Sequence, residues 1–205
     1  AGERTGSPPQ PVLALAVGGK RIVQASHAAI NVRDTAGRSV ASWKTGSRVL
    51  ALAVHPSMPR AVVSSENGRL ELWDMESRKL LVTTEVVGAV HSLAFGPGDA
   101  GIAAGSRDGT LRIFDATTLG LRHRHEAGVP LRGVAFSPDG ARLAAAAEDM
   151  TVRLWEAQSG REIVVLHGHR FPVLSVAWSP DGSRLASGAG ADEDPQSVVR
   201  LWETR

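Results

Sequence analysis

The sequence predicts an all-β fold made of repeated four-stranded antiparallel sheets. Three observations predict it. Short apolar segments recur along the whole chain at a spacing of about 40 residues. A second series of segments follows the first at the same spacing. Clusters of Pro, Gly, Asn and Asp separate the two series, and no helical periodicity is present.

The first series begins at residues 12 (VLALAV), 49 (VLALAV), 90 (VHSLAF), 131 (LRGVAF) and 173 (VLSVAW). Each is short enough for one strand. A turn cluster follows: HPSM at 55–58, GPGD at 96–99, and SPDG at 137–140 and 179–182. Proline fixes φ and glycine accepts positive φ, so these sequences bend tightly. Small residues dominate the next strand, at 61–65, 101–105, 142–147 and 184–187. Asn67-Gly68, Asp108-Gly109 and Asp149-Met150 then give hairpin turns. The third strand is the second series, beginning at 30 (INVRD), 70 (LELWD), 111 (LRIFD), 152 (VRLWE) and 199 (VRLWE). Its last step is longer because ADEDPQ is inserted at 191–196. A more variable fourth strand is expected at 40–44, 80–84, 120–125 and 161–167. Four strands of about five residues in each 40-residue unit is the rhythm of a propeller blade. Small residues in the second strand let neighbouring sheets approach. Leu15, Leu52, Leu93, Val134 and Val176, with Trp73, Phe114, Trp155 and Trp202, are the expected inter-blade core.

Composition closes off several alternatives. Hydrophobic residues make up 42% and charged residues 21% of the 205, a balance that excludes disorder of the whole chain. No apolar run approaches the ~18 residues of a membrane helix. Cysteine is absent, which excludes disulfides, Cys metal sites and Cys nucleophiles. The formal net charge is +2, little support for a phosphate-binding surface. The first ten residues are polar, with no signal-peptide core. Residues 1–11, with three prolines, read as a linker from another domain, and a cytoplasmic location is expected. The Ala-, Gly- and Arg-rich composition without tyrosine has a bacterial flavour.

The last unit carries Gly168-His169, VLSVAW at 173–178, SPDG at 179–182, LASG at 185–188 and VRLWE at 199–203. With these motifs the chain resembles the WD-repeat β-propeller family, over residues 12–205. The blades are about 12–48, 49–89, 90–130, 131–172 and 173–205. The resemblance implies a buried His–Ser/Thr–Asp–Trp hydrogen-bond network in each blade. The fifth unit offers His169, Ser187 and Trp202, with Asp194 displaced by the insertion. The fourth offers Asp149 and Trp155, with Ala145 at the hydroxyl position. The third keeps Asp108 with Phe114, and the second Trp73 with Asn67. In the first, Arg33 stands at the Trp position and His27 at the Asp position. Apolar packing is therefore expected to carry the early blades.

Members of that family usually close with six to eight blades. Five repeats, a last unit without a fourth strand and a proline-rich start predict an open arc or part of a larger propeller. The alternative is a closed five-blade ring.

His169, Ser187 and Asp194 have the residue types of a hydrolase triad. They occupy structural-network positions, and no G-x-S-x-G elbow is present, so an architectural role is expected. His123/His125 and His167/His169 would each share one face of a strand. Neither pair has a third ligand in the sequence, and no metal or cofactor is expected. The basic run Arg122–His125 lacks interleaved aromatics, so nucleic acid is not an expected partner class. The insertion carries Asp192, Glu193 and Asp194, suited to a basic partner or simply to water. By family geometry it reaches the top face, with Glu66, Arg107 and Glu148. Arg170 and Phe171 are the best anchors there, because Arg and aromatic side chains dominate binding hot spots. The expected function is a non-catalytic protein-interaction scaffold using these loops, its partner another protein or further copies of itself. The alternatives are an assembly segment whose blade faces are the interface, and a ligand-binding or enzymatic propeller using its central channel.

Overall fold

The computed structural model describes residues 14–18, 21–98, 100–190 and 197–204. The proposed linker at 1–11 and the insertion at 191–196 lie outside them. The first sheet holds β1 (Ala14–Gly18), β2 (Arg21–Ser26), β3 (Ala29–Asp34) and β4 (Ser39–Lys44). The second holds β5 (Val49–Val54), β6 (Arg60–Ser65), β7 (Arg69–Asp74) and β8 (Lys79–Glu85). The third holds β9 (Val90–Phe95), β10 (Ile102–Ser106), β11 (Thr110–Phe114) and β12 (Leu121–Glu126). The fourth holds β13 (Leu131–Phe136), β14 (Arg142–Ala147), β15 (Val152–Glu156) and β16 (Glu162–Leu166). The fifth holds β17 (Val173–Trp178), β18 (Arg184–Ala189) and β19 (Val198–Glu203). Every sheet is an antiparallel meander in sequence order.

The sheets pack face to face. Inner strands follow one another from β1 to β5, β9, β13 and β17, and no comparable packing joins β17 to β1. The arc is open. The core lies between sheets, in four separate clusters. One joins Val62, Leu70 and Leu72 of the second sheet to Val90, Leu93 and Ile102 of the third. Alanines do what the sequence predicts: Ala144, Ala145 and Ala146 of β14 are fully buried with a sheet on either side. Polar stitches cross every seam, and at the first the Val49 amide donates to the His27 carbonyl at 2.7 Å. Ser64 Oγ donates to the Val90 carbonyl at 2.9 Å. Ser92 Oγ accepts from the Val134 amide at 3.0 Å, and the Trp178 indole N–H reaches the Ala135 carbonyl at 3.1 Å. Arg142 lies over the Trp178 ring at 4.7 Å and donates to the Gly182 and Thr204 carbonyls of the fifth sheet.

The two ends of the arc differ. On the fourth sheet, Ala144, Ala146, Val152 and Leu154 face the fifth and are buried. The register places Ala177, Ala186 and Leu201 together on the corresponding face of the fifth, with Ser175, Gly188 and Val199 beside them. There Val199 is 73% and Leu201 67% exposed. At the other end, register aligns Leu15 with Gln24 and Gln24 with Asn31. Gln24 accepts from Arg33, and Asn31 from Ser42. The first end mixes Gln24, Asn31 and Arg33 with the apolar Leu15 and Ile22, and the last is apolar.

Met150 occupies a hairpin position where the second and third sheets use glycine. Its φ is 69°, against 77° for Gly68 and 82° for Gly109. A side chain is strained in that region, and Met150 is largely exposed, so little packing would be lost. Met150→Gly is expected to raise stability by about 1 kcal/mol. A lower urea midpoint in the variant would contradict this.

Candidate functional site: one rim of the arc

Backbone hydrogen bonds define two rims. The Glu66 amide donates to the Arg48 carbonyl, Arg107 to Ala89, Glu148 to Pro130 and Gly190 to Pro172. In each of these four sheets the turn between second and third strands is therefore tied to the loop entering the first strand. Met75 to Pro59, Ala157 to Ala141 and Thr204 to Ser183 make the matching bonds on the opposite rim.

The first rim gathers the expected partner-binding residues. Glu66, Arg107 and Arg170 are exposed. Glu148 is not a free carboxylate: Arg132 Nε donates to it at 2.6 Å. Phe171 is half-buried and packs against the core between the fourth and fifth sheets, so its ring is partly committed to the fold. Asp192, Glu193 and Asp194 lie outside the described residues. Arg132 and His91 are additional members of this rim. Burial pushes the His91 pKa down, Arg132 and Arg107 push it further, and Glu148 opposes them. A signal for this was present in the sequence. The second position of the inner strands reads Leu50, His91, Arg132, Leu174, so two charged or titratable residues interrupt an apolar series.

The network residues separate into two arrangements. In the fifth sheet the Trp202 indole N–H donates to Ser187 Oγ at 2.8 Å, and His169 Nε2 lies 2.6 Å from the same oxygen. Ser187 is 1% exposed, which removes it from any substrate. Asp108 and Asp149 do not join a tryptophan. Asp108 accepts from the Thr110 amide and hydroxyl and from Arg112 at 3.0 Å. Asp149 does the same with Thr151 and Arg153. In both, burial raises the pKa but the Thr and Arg hydrogen bonds outweigh it, and the net shift is downward. These carboxylates lock a hairpin turn to the third strand. Trp155 is buried in the core. Trp73 donates its indole N–H to Glu71 at 2.9 Å, and Arg33 donates to Gln24 and the Gly37 carbonyl. Sequence spacing identified the Asp and Trp positions but not these partners, which come from strand register.

Two other expectations meet the geometry differently. His123 and His125 stack on β12 with centroids 6.1 Å apart. His167 is exposed while His169 is buried, because β16 ends at Leu166 and the alternation stops there. Among the described residues no group of three or more His, Asp or Glu is placed to hold a metal ion.

A family model described as "Nucleolar protein 10-like, N-terminal domain", a β-propeller, matches residues 21–193. The chain belongs to that family. The match to the nucleolar protein 10-like N-terminal domain runs from β2 past β18, and so covers three strands of the first sheet, the whole of the second, third and fourth, and two strands of the fifth. It agrees with the WD-repeat resemblance at the level of the fold. The family's name lends no support to a bacterial origin, a cytoplasmic location or self-association. No curated protein matches the chain. No helix of the described residues is long and apolar enough to cross a membrane.

Four histidines, His55, His91, His125 and His169, have pKa values lowered first by burial. The unfolded chain therefore binds protons before the folded one, and stability falls as pH drops through about 6.5. Carboxylates such as Asp34, Asp74 and Asp139 are held low by hydrogen bonds, and Asp181 is lowered to about 2. Their contribution is present above about 3.9 and is lost below it as they protonate. Thermal unfolding is expected to show two successive losses between pH 8 and pH 3. An unfolding temperature constant from pH 7.5 to 5 would remove the histidine contribution.

Proposed function

We propose that this propeller arc is a non-catalytic protein-interaction module that binds through the rim carrying Glu66, Arg107, Arg132, Glu148, Arg170 and Phe171. The observation that carries this is the repeated backbone bond from each second turn to the loop entering its sheet. It fixes exposed charged side chains from successive sheets on one rigid edge, and preorganised side chains lose less entropy on binding. Serine, histidine and aspartate of triad type are present, but Ser187 is sealed under Trp202 and His169. The family is named for a nucleolar protein. That favours a protein partner within a ribonucleoprotein setting over a purely cytoplasmic one. The test is a photo-crosslinking residue placed at Arg107 on this rim or at Asp181 on the other, followed by crosslinking in cell extract. Discrete adducts at Arg107 alone support the reading, and equal adducts at both positions oppose it.

The apolar face of the fifth sheet favours a second reading, in which that face is an assembly interface. Its counterpart on the first sheet carries Gln24, Asn31 and Arg33, which makes ring closure between the two ends a poor match. Association would join fifth sheet to fifth sheet, an isologous contact. Light scattering over a range of concentrations separates the cases: a discrete dimer abolished by Leu201→Asp supports it, and a monomer throughout excludes it.

A further inference from the structure

A pocket of about 240 Å³ opens on the first rim at the fifth sheet, lined by His169, Arg170, Phe171, Ala189, Val198 and Arg200. Among the described residues its exposed polar side chains are Arg170 and Arg200, which carry only hydrogen-bond donors. Arg200 stands at the third-strand position filled by Arg112 in the third sheet and Arg153 in the fourth. Those two arginines are each held by an aspartate four residues earlier, at 3.0 Å, with a threonine between. The sequence replaces that aspartate with Gln196 and that threonine with Val198. Arg200 thus lacks the aspartate four residues earlier that holds its counterparts, and among the described residues neither it nor Arg170 makes an ion pair.

His169 adds to the same balance. Ser187 Oγ accepts a hydrogen bond from the Trp202 indole N–H, and its own hydroxyl proton has one acceptor among the described residues, His169 Nε2. The ring proton therefore sits on Nδ1, which is buried and has no hydrogen-bond partner among the described residues. Burial and Arg200 both hold this ring in its neutral form.

We infer that this pocket binds a single carboxylate side chain from an acidic segment of a protein partner. A donor-only site matches an acceptor-only group, and two guanidiniums offer forked hydrogen bonds to its oxygens. The apolar walls of Phe171, Val198 and Ala189 exclude water on one side, which strengthens the ion pair. The volume holds one side chain, and among the described residues no exposed aromatic platform offers stacking to a base. The inference rests on the interaction reading and adds the anchor point and the partner's chemistry.

The test is fluorescence anisotropy on the full 205-residue chain with a labelled hexaglutamate peptide, and in parallel a labelled hexauridine RNA. The peptide is expected to bind saturably, weaken as salt rises, and lose about tenfold in affinity with Arg200→Gln. Arg170→Gln, on an exposed loop, gives the same direction should Arg200→Gln unfold. Arg184→Gln on the opposite rim is expected to bind within about twofold of the native chain. No saturable peptide binding, equal binding by the native chain and both pocket variants, or tighter RNA binding with the same losses would overturn the inference. Failure here with crosslinks retained at Arg107 removes the pocket alone; failure of both removes the interaction reading with it.

Discussion

Replacing Leu72 with alanine is expected to lower the unfolding free energy by about 3–5 kcal/mol. Leu72 is fully buried on β7, and it is shared between two sheets. Its neighbours come from the second sheet (Val62, Leu70) and the third (Val90, Leu93, Ile102). Both sheets are antiparallel meanders held internally by backbone bonds, so neither can collapse far into the cavity left behind. The residual cavity term should therefore be large. Against a typical total of about 5–15 kcal/mol, that loss is a substantial share. Leu81→Ala, on the exposed strand β8, is expected to cost about 0.5 kcal/mol or less. Urea unfolding of the two variants measures the difference. A loss below about 1 kcal/mol for Leu72→Ala would mean that the second and third sheets do not share this core.

Gly101→Ala is expected to cost about 2–5 kcal/mol. Gly101 has φ of 95°, in the left-handed region. An added Cβ would press on the Phe114 carbonyl oxygen of the neighbouring strand, well inside contact distance. That oxygen is backbone, so relief requires moving β11 and not a flexible side chain. Gly98 is the matched control: its φ is 54°, and nothing lies within 4 Å of an added Cβ. Gly98→Ala should carry the conformational cost alone, about 1 kcal/mol. Equal losses in the two variants would show that the close approach at Phe114 contributes nothing.

Much of this architecture is legible in the sequence because a propeller blade is a local object. Each meander pairs neighbours along the chain, and its turns carry their own chemistry. Asp108-Gly109 and Asn67-Gly68 announce hairpins, and the alanines of β14 announce close sheet packing. The candidate rim was legible in part. Arg107, Glu148 and Arg170 follow from their places in the repeat, whereas the Arg132–Glu148 pair needed the pairing of β13 with β14 to bring residues 16 apart into contact. The histidine at 167 misled because alternation holds only while a strand continues.

The sequence by itself determined the all-β class, the five units, the order of strands within each sheet and most of the residues that fill the seams; Leu15, expected among them, is exposed because no sheet covers the first end of the arc. These follow from period, turn chemistry and side-chain size, all of which act over a few residues. Only the tertiary structure decided where the arc stands open, which carboxylates clamp turns and which third-strand arginine makes no ion pair among the described residues. Those outcomes depend on register between strands and on what covers each sheet face. A one-residue change in either moves a side chain from core to water.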